Sequence, residues 1–328
     1  MRAELAALAA AQGGVFTRRQ ALATGYGTRA IRDRLAAGIW LARRRGVYVT
    51  RVLWEAADVV GRHAIDVAAA ILSFRRKDAA GSHGSAARIY GIETLRPPLD
   101  AVTLTRPRQA PGRGQPRGIR VERAALPPDH VRLERGMALT TPARTVVDLA
   151  RTLPFREGVV VADSALFLPR AGRESLIRVA EDCGRWPGIE RARAVIDFAH
   201  PRARSPFESI TRVMFAEQGL PTPEVGVLVG EDDQIFTEVD FLWAEHRTIA
   251  EADGLLKYTD PERLRIEKLK QERLEEMGFT VVRLTWRQVT EHPKECGPHP
   301  PCVRTQRGTR RRRAVLSGRR QGVRSRRR

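Results

Sequence analysis

The sequence predicts an α+β multidomain protein, and three observations carry that prediction. At 328 residues the chain exceeds what one hydrophobic core ordinarily organises. The rhythm of its apolar residues changes along the way. The first fifty residues read helix, helix, helix, hairpin; the middle mixes helices and strands; residues 201–292 read αβββαβ. Beyond 292 periodicity stops and arginine dominates. The implied division is 1–52, 53–200, 201–292 and 293–328.

Composition excludes several classes. Hydrophobic residues make up 42% and charged residues 29%, an ordinary globular balance that rules out a wholly disordered or collagen-like chain. No apolar run approaches the roughly 18 residues that a bilayer demands, so no membrane is expected as a partner. Residues 1–11 read as a short amphipathic helix and not as a leader, because Glu4 interrupts them and a single basic residue precedes them. Cys183, Cys296 and Cys302 are too few and too scattered for a disulfide framework, which fits the cytoplasm.

Charge points to a class of partner. The chain carries 58 Lys and Arg against 38 Asp and Glu, a net +20. Residues 293–328 hold thirteen of those cations (Lys294 and twelve Arg) and one acid, Glu295; that net +12 leaves +8 for the rest. A mildly basic body with an intensely basic tail attracts polyanions, of which nucleic acid is the commonest in a cytoplasm. The tail has no periodicity and almost no acids, so it is expected to be disordered.

The first region supplies a reader for duplex DNA. Thr17 is a good N-cap and Gln20 completes a capping box; Gly25 ends that short helix. Thr28 starts a second helix over 29–37, with Ile31 and Leu35 on one face and Arg29, Arg32 and Arg34 elsewhere. Ile39-Trp40-Leu41-Ala42, the turn Arg43-Arg44-Arg45-Gly46 and Val47-Tyr48-Val49 then form a hairpin with a cationic tip. This is the outline of a winged helix-turn-helix, in which the second short helix enters the major groove and the wing follows phosphates. Arg29, Arg32, Arg34, Arg43, Arg44 and Arg45 are therefore the expected DNA contacts, in preference to a merely solvated face.

The middle region yields elements without a catalytic constellation. Residues 55–74 read as one helix, and Thr141-Pro142 opens another with proline at the first helical position. Strands are expected at 101–105, 119–123 and 131–133, and helices at 156–167, 173–182 and 188–199. His63, His83 and His130 stand apart in the sequence and read as satisfied structural or exposed histidines before ligands. The region reads as a connector or partner-binding module.

The third region concentrates acids. Ser205-Pro206 starts a helix with Glu208 in its first turn, and Asp240 interrupts the apolar strand Val239-Asp240-Phe241-Leu242-Trp243. Glu251 and Asp253 lie two apart on the next strand, hence on one face. Grouped carboxylates disfavour one another unless a cation joins them, and magnesium takes oxygen ligands of this kind. The helix at 261–277 alternates charges and reads as an exposed, salt-bridged face.

Two resemblances follow from these residues. Ser205-Pro206-Phe207-Glu208-Ser209, Val239-Asp240-Phe241, Glu251-Ala252-Asp253-Gly254 and Val281-Val282-Arg283-Leu284-Thr285-Trp286 together resemble the very-short-patch-repair-like (Vsr-like) endonuclease domain of the PD-(D/E)xK superfamily. The resemblance implies a restriction-endonuclease-like fold binding Mg2+ or Mn2+ through Asp240, Glu251 and Asp253, with Glu208 as the preceding helix glutamate. The sequence departs from that pattern at Asp253, where a lysine is usual, and at Lys257, where relatives often have histidine. Lys257 either restores the cationic group and leaves a metal-dependent DNA endonuclease, or the site is inactive.

The second resemblance lies upstream. Gln12-Gly13-Gly14-Val15-Phe16-Thr17-Arg18-Arg19-Gln20-Ala21 and Arg45-Gly46-Val47-Tyr48-Val49 are similar to the winged-helix domain of AbiEi-type antitoxins of type IV toxin–antitoxin systems. Ser82-His83-Gly84-Ser85-Ala86-Ala87-Arg88 and the segment from Thr140 to Ala150 are similar to stretches found downstream in such proteins. The resemblance implies binding to double-stranded operator DNA, autorepression and neutralisation of a cognate nucleotidyltransferase toxin.

Overall fold

The computed structural model describes residues 1–74, 78–95, 101–110, 117–168, 171–231, 234–253, 261–293 and 315–316. Lys257, Cys296, Cys302 and the basic tail, apart from Pro293, Val315 and Leu316, lie outside the described residues. The protein is α+β, with three sheets among the described residues, and it divides into two compact units, Met1–Ala199 and His200–Arg328. Among the described residues no helix is long and apolar enough to cross a membrane.

The first unit opens with α1 (Ala3–Ala10), β1 (Val15–Thr17), α2 (Arg18–Ala23), α3 (Thr28–Ala36), β2 (Trp40–Arg44) and β3 (Val47–Thr50). Thr17 starts α2 through a reciprocal capping box: its hydroxyl accepts from the Gln20 amide, and the Gln20 side chain accepts from the Thr17 amide. The strands form an antiparallel sheet in the order β1-β3-β2. Alternation gives this sheet two apolar faces. Phe16, Tyr48 and Trp40 join Leu5, Tyr26 and Ile31 of the helical side. Val15, Val47 and Val49 instead join a core built on the next long helix.

That continuation comprises α4 (Arg51–Ala56), α5 (Val59–Ser73), β4 (Ala80–Gly81), α6 (His83–Tyr90), β5 (Val102–Arg106), β6 (Ile119–Arg123), β7 (Val131–Glu134) and β8 (Met137–Thr140). Four helices complete the unit: α7 (Pro142–Ala150), α8 (Phe155–Phe167), α9 (Arg173–Asp182) and α10 (Ile189–Phe198). The single helix expected over 55–74 is two, because Asp58 caps α5 by accepting from the Gly61 amide at 2.7 Å and so ends α4. Gly13, at φ +77, brings the chain so near α5 that an added Cβ would meet the Ala68 Cβ at 2.8 Å. The five strands order as β6-β5-β4-β8-β7, with β5–β6 and β4–β8 parallel.

Helix α7 is buried at every position. It nevertheless carries a charged pair, Arg144 and Asp148, at 2.9 Å and with no exposed side-chain surface. Asp148 also pairs with Arg151 at 3.2 Å, and the Arg144 guanidinium lies 4.4 Å from the Trp186 ring centroid. Arg144 further donates to the Ala125 carbonyl.

The second unit contains α11 (Pro206–Glu217), β9 (Glu224–Glu231), β10 (Gln234–Trp243), β11 (Thr248–Asp253), α12 (Pro261–Glu276), β12 (Thr280–Thr285), α13 (Trp286–Thr290) and the two-residue β13 (Val315–Leu316). Its sheet runs β12-β11-β10-β9-β13, antiparallel except for β11–β12. That parallel pair demands a crossover, which α12 provides. Phe215 of α11 packs edge-on against Phe241 and Trp243, which share one face of β10. Leu274 of α12 joins Leu242 and Ile249, whose positions belong to the other face.

Candidate functional site

The cationic surface of residues 3–50 differs from the one expected. Arg29 and Arg32 of α3 and Arg45 at the hairpin turn are exposed. So are Arg18 and Arg19 at the start of α2, with Arg18 donating to the Thr28 hydroxyl at 3.2 Å. The other three expected contacts are engaged within the fold. Arg43 makes a bidentate pair with Asp66 of α5, at 2.7 and 2.9 Å, and its guanidinium lies 3.7 Å from the Trp54 ring centroid. Arg44 donates to the carbonyls of Arg117 and Gly118 at 2.6 and 3.2 Å. Arg34 lies 4.8 Å over the Tyr26 ring and closes the aromatic core. Sequence reasoning passed over Arg18 and Arg19 as helix-start residues, although their position directly after the Thr17 cap marks them as presented at a helix N-terminus.

Two histidines of this unit, His130 and His63, are tied into the fold by hydrogen bonds. His130 accepts from Arg144 through Nδ1 at 3.1 Å and donates through Nε2 to Asp182 at 3.1 Å. Asp129, His130 and Asp182 could otherwise hold a metal ion. With both ring nitrogens committed, no lone pair is left for one. His63 contacts the Ser85 hydroxyl at 3.0 Å. Burial, above all, lowers the pKa of His83 from its ordinary value, with Asp148 acting in the opposite sense. The folded protein therefore holds His83 neutral, while the unfolded chain takes up a proton as pH falls through about 6.5. Unit stability is fully present above that pH and declines below it. Since His83 sits at φ +50, where asparagine is also tolerated, His83→Asn should fold and lose part of this acid sensitivity. Thermal unfolding at pH 7.5 and 5.5 measures it; an unchanged pH dependence would contradict the assignment. Burial also pushes the Cys183 thiol up to about 11, which keeps it protonated and unreactive at neutral pH.

The second unit brings together three of the expected acids. In the register that pairs Phe241 with Ala250, Asp240 stands opposite Glu251 on one face of the sheet. Asp240 accepts from the Ala252 amide at 2.8 Å, which fixes its carboxylate beside β11. Glu208 has a local task as well: it accepts from the Ser205 hydroxyl at 2.8 Å and the Arg204 amide at 2.9 Å, completing the cap of α11. Burial raises the pKa of both glutamates and the charge of Asp240 adds to it; Glu251 is pushed up to about 7. The backbone of Asp253 ends β11 in register with Thr285; its side chain lies outside the described residues.

The cation beside these acids is one the sequence did not single out. Lys270 of α12 places Nζ 2.9 Å from Glu251 Oε1 and donates to the Glu238 carbonyl at 3.2 Å. The exposed, salt-bridged face expected of α12 is present, and the helix has an inward face besides. Lys268 and Glu272 lie 3.8 Å apart on that outer face, but Lys270 and Leu274 turn to the sheet. The donor set is all oxygen and partly buried, which fits a hard divalent cation such as Mg2+.

Two family models match the first unit. A family model for transcriptional regulators described as AbiEi antitoxin matches residues 3–50, from α1 to β3. A second, for the AbiEi antitoxin C-terminal domain, matches residues 79–198, from β4 to α10. The chain belongs to the AbiEi antitoxin family. In this AbiEi protein the exposed arginines of α2, α3 and the hairpin fall inside the regulator match, and the Arg144–Asp148 pair falls inside the C-terminal-domain match. The carboxylate cluster lies outside both. Two uncharacterized proteins of Mycobacterium tuberculosis, MT2308 of strain CDC 1551 / Oshkosh and Rv2248 of strain H37Rv, are each 30% identical to it over 254 residues, covering 76% of this chain and 86% of theirs. The crystal structure of the RV2827C protein from the same organism is similar at a TM-score of 0.40 and 18% identity, over 59% of this chain and 75% of that one. Membership implies DNA binding and a toxin partner in general terms.

Proposed function

We propose that this AbiEi protein is a winged helix-turn-helix repressor of its own operon, with α3 in the major groove and the β2–β3 wing along the backbone. The exposure of Arg18, Arg19, Arg29, Arg32 and Arg45 on α2, α3 and the wing turn carries this reading. Arg34, Arg43 and Arg44 hold the frame instead of reading DNA. The middle region, matched by the antitoxin C-terminal domain, is the surface offered to a cognate nucleotidyltransferase toxin. A mobility shift on the duplex upstream of the coding sequence tests the DNA contact. Arg29→Ala with Arg32→Ala should abolish the shift while leaving the thermal transition in place, since a bidentate base contact is worth about 1–3 kcal/mol. An unchanged shift would remove α3 from the interface.

A second reading is favoured by Asp240 facing Glu251. On it, residues 201–292 form a restriction-endonuclease-like domain that binds Mg2+ or Mn2+ through Asp240, Glu251 and Asp253 and cleaves DNA. Glu208 adjoins the cluster, and Lys257 belongs to the same reading. Once bound, the ion polarises a phosphoryl oxygen and lowers the pKa of a water. The protein's part is to aim the Asp240 carboxylate, through the Ala252 amide, at the same space as Glu251.

A further inference from the structure

Lys270 is placed where it must interact with any cation entering the cluster. Its ammonium bridges two strands, touching Glu251 of β11 and the Glu238 carbonyl of β10 on either side of Asp240. Its side chain is only 20% exposed and that of Glu251 14%, so neither charge is well hydrated. Leu274, one turn along, is buried against the sheet and anchors the helix face that presents the lysine.

We propose that Lys270 is the built-in counter-ion of the Asp240–Glu251 cluster, and that a divalent cation gains Glu251 only by displacing its ammonium. The inference rests on the metal-binding reading of the second unit. A divalent ion brings two charges to a space that lysine supplies with one, so the exchange is electrostatically favourable once the ammonium swings out on its flexible stem. The lysine therefore weakens metal binding and holds the acids together in the metal-free protein. An antitoxin built this way keeps its cluster closed until the local concentration of divalent ion is high.

Calorimetric titration of Mn2+ into the full-length protein tests this, with thermal unfolding as a check on folding. Lys270→Met and Lys270→Gln should bind Mn2+ at least about tenfold more tightly than wild type. Lys270→Arg, which keeps the charge, should bind as wild type does, and Asp240→Asn should bind none. Equal or weaker binding by a folded Lys270→Met or Lys270→Gln protein overturns the counter-ion role. Absence of Mn2+ binding in every protein, the Lys270 variants included, overturns the metal reading beneath it.

Discussion

Asp148→Ala should cost the first unit about 3–5 kcal/mol, the effect expected when one partner of a buried ion pair is removed and the other is stranded. Arg144 has no exposed side-chain surface, and its ion-pair partner is Asp148; Arg151 would lose a partner as well. The Trp186 face and the Ala125 carbonyl would remain, but neither neutralises a guanidinium. Replacing both members with apolar residues, as Arg144→Met with Asp148→Leu, should cost less, because the fully buried guanidinium is then gone and only Arg151, whose side chain is 13% exposed, loses its carboxylate partner. Urea midpoints of the single and double variants check both statements. A loss below about 1 kcal/mol in Asp148→Ala would mean that the pair is hydrated in solution.

Trp40→Ala should cost a similar amount, about 3–5 kcal/mol for a fully buried aromatic. The ring is 2% exposed and centres the cluster that joins the sheet to the helices of residues 3–50, with Phe16 at 4.8 Å and Tyr26 at 5.0 Å. Arg34 rests on the same cluster, 5.7 Å from the Trp40 ring. The substitution should therefore loosen α3, the helix assigned to DNA, together with the core. Since Val15, Val47 and Val49 belong to the neighbouring core with α5, loss of structure should spread beyond residue 50. Hydrogen exchange in α3 and α5 measures how far. Loosening confined to residues 3–50 would show that the two cores melt independently.

Much of the fold is written in local signals. Ser205-Pro206 and Thr141-Pro142 mark helix starts because a hydroxyl cap and a fixed proline φ act within one turn. The apolar runs at 225–229, 235–243 and 248–253 were likewise legible as strands. The fate of individual charges was less so, because it depends on partners remote in sequence. Arg43 reads as a free wing residue until Asp66, 23 positions away, comes beside it. His130 looks solitary until Asp182, 52 positions on, bonds to it. Lys270 is hidden in α12 for a different reason: charge runs round that helix without a clear apolar stripe, so periodicity cannot say which lysine turns inward. The pairing of Asp240 with Glu251 was half legible. Strand alternation placed acids on faces, but only the register brought the two strands' acids together.

The DNA-binding account is tested most directly by how affinity for the upstream duplex depends on salt. Each arginine that meets a phosphate should contribute a slope of about 0.9 to the fall of log K with log salt. Arg18→Ala, Arg19→Ala and Arg45→Ala combined should flatten the slope by about 3, and Arg43→Ala, whose guanidinium is held by Asp66, should leave it unchanged if the fold is intact. A slope equal to wild type in the triple variant would contradict the account.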